Sequence, residues 1–213
     1  MTCVGRTIDV DARRKLLADT VWELLRTGGL EAASVRAVAK EAQLSAGSVR
    51  HFFSTQDELH VFAMNELMRR TAEAVESVMR DVGMQYSKSQ PAERNLNQVR
   101  AGLHQLLPID TQKTAIFHTH LQFVAKAVVH QPLKATARDS YRRLQEFYEG
   151  CIEQLVRSGA ATKDLDRHKA AQELAVVIDG LLLRQLTAPE LASVDEMVTS
   201  LDDHLLNLKR EEG

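Results

Sequence analysis

Along most of the chain, apolar side chains recur three and four positions apart. That repeat gathers them on one face of an α-helix, and no stretch shows the alternation of a half-buried strand. Over residues 10–27, Leu17, Val21, Leu24 and Leu25 form one stripe, which Gly28-Gly29 brings to an end. Ser34 is placed to cap a short second helix, VRAVAKEA, in which Val35, Val38, Ala39 and Ala42 share a face while Arg36 and Lys40 point away. A tight turn, QLS, follows, and Ser45 caps a third short helix within SAGSVRHFF. TQDE at 55–58 reads as a capping box, Thr55 at the N-cap and Glu58 at the third helical position, heading a long fourth helix to about Val82.

GMQYSKSQP at 83–91 interrupts the pattern. Later helices are expected at 92–107, 110–130, 132–158, 167–187 and 193–209, separated by LPID, HQP, SGAATKDLD and TAPELAS. Pro91 and Pro132 suit first helical positions, and SVDE at 193–196 is a second capping box. The expected fold is all-α with about nine helices, three short ones ahead of a bundle, and no internal repeat or low-complexity segment.

Two short helices joined by a tight turn, the second barely two turns long, have the form of a helix-turn-helix. In the third helix Val49, Phe52 and Phe53 fall at i, i+3 and i+4 and make an inward face that Leu44 helps to close. A helix this short does not hold in water alone, so that face must supply its stability. Ala46, Gly47 and Arg50 share the opposite side. Ala46 and Gly47 let a backbone come close, and Arg50 offers a forked donor to a guanine edge or a charge to a phosphate. Ser45, Ser48 and the leading amides suit phosphate oxygens. The same geometry also serves as a plain structural turn in proteins that never meet DNA, so the residues by themselves leave both readings standing.

Charge narrows this only slightly. The 213 residues carry a formal net charge of −2, with a pI near 6.5, which argues against a chain that coats nucleic acid non-specifically. Residues 1–56 hold eight Lys and Arg against six Asp and Glu, a weakly positive reader on an acidic remainder. The two cysteines, Cys3 and Cys151, do not suggest a structural disulfide, and a reducing cytoplasm is the expected compartment. The N-terminus lacks the apolar core of a signal peptide, and the longest apolar run, LAVVIDGLLL, contains Asp179 and is too short to span a bilayer.

No glycine-rich phosphate loop, nucleophile elbow or metal motif is present, so an enzyme is not expected, nor a cofactor. His118 and His120 are two apart and diverge by roughly 200° on one helix, so they do not converge on one ion. Trp22, in the first helix, reads as packing.

The stretch KLLADTVWELLRTGGLEAASVRAVAKEAQLSAGSVRHFFSTQDEL, residues 15–59, resembles the N-terminal domain of the TetR family of bacterial transcriptional repressors. The matching features run in order: the apolar first helix ending at Gly28-Gly29, SVRAVAKEA, LSAGSV, Phe53 and the Glu58-Leu59 pair. More loosely, LPIDTQKTAIFHTHLQFVAKAVVHQPLKATARDSYRRLQ resembles the branch of choline-responsive regulators. The resemblance implies a DNA-binding domain over 1–54 and a ligand-binding, dimerising domain over 55–213. It further implies a homodimeric regulator, a repressor released from double-stranded operator DNA by a small-molecule effector, with no role for a membrane. An effector-independent regulator and an activator remain the alternatives.

Carried over by position, the family's DNA contacts fall on Ser34, Arg36, Ser45, Ala46, Gly47, Ser48, Arg50, His51, Thr55 and Gln56. Two positions depart from the family. Arg50 stands where tyrosine is usual, and Gln56 where lysine is usual, which removes one phosphate contact and about one unit of salt slope.

A palindromic site needs two readers about 34 Å apart, and the last two helices carry the pattern for pairing. Val194, Met197, Val198, Leu201, Leu205 and Leu208 form a near-heptad stripe, and Ile178 and Leu181 lie in a helix apolar almost all round. Closure of a monomer's own core would use the same residues. For the effector, the resemblance implies a cavity near Phe117, His120, Leu121, Val124, Phe147, Tyr148, Cys151 and Leu182.

Overall fold

The computed structural model describes residues 4–191 and 193–209, and Cys3 lies outside them. Among the described residues are nine α-helices and one 3-10 turn, joined by loops, with no strand. In order they are α1 (Val4–Ala32), α2 (Val35–Glu41), α3 (Ala46–Phe52), α4 (Gln56–Gln85) and α5 (Pro91–His104). There follow α6 (Thr111–Val129), α7 (Gln131–Ser158), α8 (Arg167–Thr187), the 3-10 turn Pro189–Leu191 and α9 (Val194–Asn207).

Local chemistry sets most of the boundaries. The helix that was expected to stop at Gly28-Gly29 breaks at Gly29, where φ 71° and ψ −166° lie in a region essentially reserved for glycine, and one further turn continues to Ala32. Ser34 and Ser45 cap α2 and α3 through hydroxyl oxygens that accept the N–H groups of Ala37 and Ser48. Ser193 and Glu196 form the reciprocal capping box of α9. At the head of α4 the box is displaced by one residue: Thr55 Oγ1 accepts from the Glu58 N–H, but Glu58 Oε2 reaches back to the N–H of Ser54. Pro91 opens α5, whereas Pro132 is the second residue of α7.

The chain forms two units. The first comprises the residues through Met68 with His118–Ala137. Its core joins Leu17, Val21 and Leu25 of α1 to Val38, Val49, Phe53, Leu59, Met64, Phe123 and Leu133, all buried. Thr119 and Gln122 of α6 tie α1 in place: Thr119 Oγ1 donates to the Leu25 carbonyl at 3.2 Å, and Gln122 Oε1 accepts from the Leu30 N–H at 2.9 Å.

The second unit comprises Arg69–Phe117 and Arg138 onward. Val99, Leu103, Leu107, Ile152, Leu155, Leu174, Ile178, Leu201 and Leu205 fill it. Gly102 lets α5 approach α4 closely, since a Cβ there would lie 2.7 Å from the Met79 side chain. Asp202 of α9 is buried and accepts from both Arg100 and His104 of α5, the latter at 2.9 Å. Among the described residues no helix is long and apolar enough to cross a membrane.

Candidate nucleic-acid interface

The turn between α2 and α3 is fixed by the end of α2. Leu44 N–H donates to the Ala39 carbonyl and Gln43 N–H to the Lys40 carbonyl, the paired bonds of a Schellman motif. The residue that turns the chain is Gln43 at φ 54°, a left-handed conformation that glycine usually supplies. This turn sets α3 on α2 with one face inward. Val49 is fully buried and Phe53 nearly so, with the Phe53 ring 4.9 Å from that of Phe62 on α4.

Phe52 departs from the expected inward triad. It is half-buried, stacks edge-on with His51 at 5.7 Å, and lines a groove of about 580 Å³ with Phe53, Val61, Phe62 and Pro132. The i+3 position of so short a helix points partly along the surface, and the final residue, Phe53, leaves the helix with extended backbone to reach the core.

Outward, Ser45, Ala46, Gly47, Ser48, Arg50 and His51 are all exposed. Arg50 and Arg36 are also exposed and have no acidic partner among the described residues. The same holds for Lys40, which sequence reasoning left out of the contacts although its i+4 spacing from Arg36 put it on the same side of α2. Ser45 Oγ is taken up by its cap at 3.0 Å and by Ser48 Oγ at 2.9 Å, so these hydroxyls hold the start of α3. Ser34 is half-buried and likewise committed to its cap.

Gly47 is the informative position. A Cβ built there meets only Ser45 Oγ, at an ordinary 3.7 Å, so neither packing nor backbone conformation within the chain calls for glycine. Glycine inside a helix costs about 0.5–1 kcal/mol relative to alanine. The chain therefore accepts a destabilising residue on an exposed helix face, where close approach from outside is a use that remains.

Thr55 is exposed and caps α4. Gln56 is exposed too, but its amide turns back onto the protein: Nε2 donates to the Ala33 carbonyl at 2.7 Å and lies 2.8 Å from His60 Nε2. His60 itself, fully buried, was not singled out from sequence, although its i+4 spacing from Gln56 was the available signal.

The residues expected around an effector are divided between the two units. Phe117, Tyr148 and Cys151 are buried, and Phe147 and Leu182 half-buried, in the second; His120, Leu121 and Val124 are half-buried in the first. Burial pushes the His120 imidazole down to about 4 and the Cys151 thiol up to about 12, and it raises the Tyr148 phenol, so each is uncharged at neutral pH. Among the described residues no three His, Cys, Asp or Glu side chains gather to hold a metal.

Of the residues expected at a dimer contact, Ile178, Met197, Leu201, Leu205 and Leu208 are buried within their own unit, and so are not available to a partner. Leu181, Val194 and Val198 are half-buried. The apolar side chains left in solvent are different ones: Val176 at 72% and Leu183 at 49% exposure on α8, and Leu206 at 47% on α9. A stripe with heptad spacing reads alike whether it faces its own bundle or a second copy, and the buried members of the α9 stripe face their own unit.

Residues 17–61 match the family model of bacterial regulatory proteins of the tetR family, and residues 96–209 match that of the BetI-type transcriptional repressor C-terminal region. The chain is 28% identical over 201 residues to the HTH-type transcriptional regulator PksA of Bacillus subtilis (strain 168), spanning 94% of this chain and 91% of that one. It is 30% identical over 172 residues to the HTH-type transcriptional regulator BetI of Stenotrophomonas maltophilia (strain R551-3), covering 81% of this chain and 80% of the relative. In fold it is similar to a transcriptional regulator from Rhodococcus sp. Rha1, with TM-score 0.67 at 25% identity over 91% of this chain and 94% of that one. It also shares the fold of a regulator from Saccharomonospora viridis solved in complex with choline, with TM-score 0.65 at 21% identity over 91% and 95% of the two chains.

Proposed function

The chain belongs to the tetR family of bacterial regulatory proteins and is a transcriptional regulator with a BetI-type C-terminal region, not an enzyme; from that premise we propose that it is a homodimeric repressor which leaves a palindromic operator when a small molecule binds. The observation that carries the DNA-facing part is the exposed side of α3, where, among the described residues, nothing requires Gly47 and nothing pairs with Arg50. On this reading residues 1–54 read the operator and residues 55–213 bind the effector and pair the protomers, in the cytoplasm.

Arg50 takes a guanine edge by its forked donors, and Arg36 and Lys40 approach phosphates. Two copies pair through the solvent-exposed apolar side chains of α8 and α9, Val176, Leu183 and Leu206, where burial of that surface is favourable. Gly180 lies between Val176 and Leu183 with nothing within 4 Å of its virtual Cβ, which leaves room for a partner helix.

For the effector, we take a small organic cation as the first class, by analogy with the choline-bound Saccharomonospora viridis neighbour. Asp179, whose carboxyl is raised by its surroundings, is near enough to Tyr148 and Tyr141 to add to the rise that burial gives both phenols. A carboxylate beside two aromatic rings suits such a cation. Helix α4 contributes residues to both units, so it is the element we propose transmits the change.

Release from DNA tests the regulatory part. Quaternary ammonium compounds, other metabolites and drugs are titrated against the protein–operator complex. Dissociation by one compound, abolished in Asp179→Asn for a cation, supports the reading; a complex indifferent to the whole panel favours the effector-independent alternative.

A further inference from the structure

His60, on the second turn of α4, is completely buried although polar. One ring nitrogen, Nε2, lies 2.8 Å from Gln56 Nε2; the other, Nδ1, lies 3.4 Å from Lys126 Nζ on α6. The Gln56 amide nitrogen also donates to the carbonyl of Ala33, the residue before the α2 cap, and Lys126 reaches Glu31 of α1 at 3.1 Å. A polar string thus starts at the head of α2, crosses α4 to α6 and returns to α1.

Proton counting restricts its state. A lysine ammonium only donates, and the Gln56 amide nitrogen, already donating to Ala33, offers its second proton toward the ring. Neutral imidazole can accept at one nitrogen only; with Nε2 accepting from the shorter Gln56 contact, Lys126 at 3.4 Å is a charged neighbour and not a hydrogen-bond partner. Imidazolium can accept at neither and would set donors against donors on both sides. The other charged groups around the ring are Glu31 from α1, Asp57 beside it on α4, and His130 just past α6, which pairs with Asp57 at 2.8 Å. Burial first, then Lys126, hold the His60 imidazole below its usual range, with His130 adding to this and Glu31 and Asp57 pulling the other way.

We propose that Gln56 and His60 are positioning residues for operator binding: by accepting the second amide proton of Gln56, His60 fixes the donor to the Ala33 carbonyl and so holds the head of α2 against α4, and it does so only while the ring is neutral. The proposal rests on the DNA-binding reading above. Gln56 thereby acts on operator binding through its contacts to Ala33 and His60, although the residue itself is exposed. In a conformer where the string opens, His60 meets water and takes up a proton near its ordinary pKa of about 6.5, so acid favours the opened form.

The test uses the full-length protein and a DNA duplex that it enriches from a random pool. Affinity is read by fluorescence anisotropy at about pH 7.5 and about pH 5.5, on either side of the ordinary imidazole pKa. The variants are His60→Gln, whose amide accepts a hydrogen bond without titrating, and Gln56→Met, which keeps the bulk and removes the donor. Relative to His60→Gln, a comparison that cancels pH effects common to both proteins, wild type is expected to lose at least about threefold in affinity on acidification. Gln56→Met is expected to bind at least about threefold more weakly than wild type near neutral pH, with its salt slope unchanged because no charge is lost.

Parallel pH profiles for wild type and His60→Gln, or a Gln56→Met protein that binds like wild type, overturn the proposal. Should His60→Gln not fold, the imidazole ¹⁵N shifts of wild type and Lys126→Met replace it. The wild-type ring should stay neutral at about pH 6 and Lys126→Met should titrate at higher pH; a wild-type ring already charged there overturns the proposal. If no duplex is enriched, the DNA-binding reading fails and this role with it; an enriched duplex with unresponsive variants overturns the positioning role alone.

Discussion

Gln122 of α6 accepts the main-chain N–H of Leu30 at 2.9 Å, across 92 positions of sequence. That N–H is freed because α1 breaks at Gly29, and the same glutamine crowds the break: a Cβ on Gly29 would lie 2.7 Å from its Oε1. The positive φ at Gly29 disfavours a larger residue, and a Cβ there would also displace the end of the Gln122 side chain. Gly29→Ala is therefore expected to cost about 2–3 kcal/mol, lowering the melting temperature by roughly 5–10 °C in a chain of this size. Gln122→Ala, which only leaves the N–H unsatisfied, should cost about 1–2 kcal/mol. Equal melting curves for Gly29→Ala and wild type would show that the break is not built as described.

Arg50 is exposed on the outer side of α3 and has no partner among the described residues, so its removal should leave stability unchanged within about 0.5 kcal/mol. Operator binding should fall by about 1–3 kcal/mol in Arg50→Ala, with discrimination lost at one base position per half-site. Competition with single-base variants of the operator reads this directly. A uniform loss over all sequences, with the salt slope reduced by about one, assigns Arg50 to a phosphate instead.

Asp202 supports the second unit from inside it. Burial alone would raise its carboxyl, but the hydrogen bonds from Arg100 and His104 outweigh burial and leave it below the usual range. A carboxylate whose folded pKa is depressed adds stability above its unfolded value of about 3.9 and loses it as pH falls through the folded value. Asp202→Asn is expected to lose about 1.5–3 kcal/mol near neutral pH. Its deficit relative to wild type should shrink below about pH 4, as measured by thermal unfolding across pH. A deficit that is constant down to acid pH would mean that packing, not charge, sets the role of this side chain.

Leu183→Glu tests the proposed pairing face. Because this side chain is 49% exposed in the single chain, a charge there should be tolerated by the fold. In a dimer it would be buried against its own copy, so light scattering should find monomers and operator affinity should drop by at least about tenfold. A dimer unaffected by Leu183→Glu would place the interface elsewhere.

Much of this architecture was legible because local rules decide it. Serine and glutamate caps, Pro91 and the three-four apolar repeats put the later helices within about three residues of their observed ends. The exposed side of α3 was legible for the same reason, since Val49 and Phe53 fix which way Ala46, Gly47 and Arg50 must point. What was hidden depends on distant partners. Gln56 was expected at DNA from its position in a motif, which says nothing of the hydrogen bond its amide makes to Ala33 or of its approach to His60. The α9 stripe was assigned to a partner because periodicity identifies a buried face but not what covers it. Asp202 sits next to Leu201 in that stripe, and only Arg100 and His104 of α5 explain why a carboxylate is kept there.

The central claim is that α3 of two paired chains reads a defined DNA sequence, and selection of bound duplexes from a random pool measures this most directly. The account predicts enrichment of an inverted repeat whose half-sites are spaced by about one helical turn or a multiple of it, roughly 10 base pairs each, with a guanine in each half-site that Arg50→Ala no longer selects. A pool that remains unenriched after repeated rounds at moderate salt would contradict it.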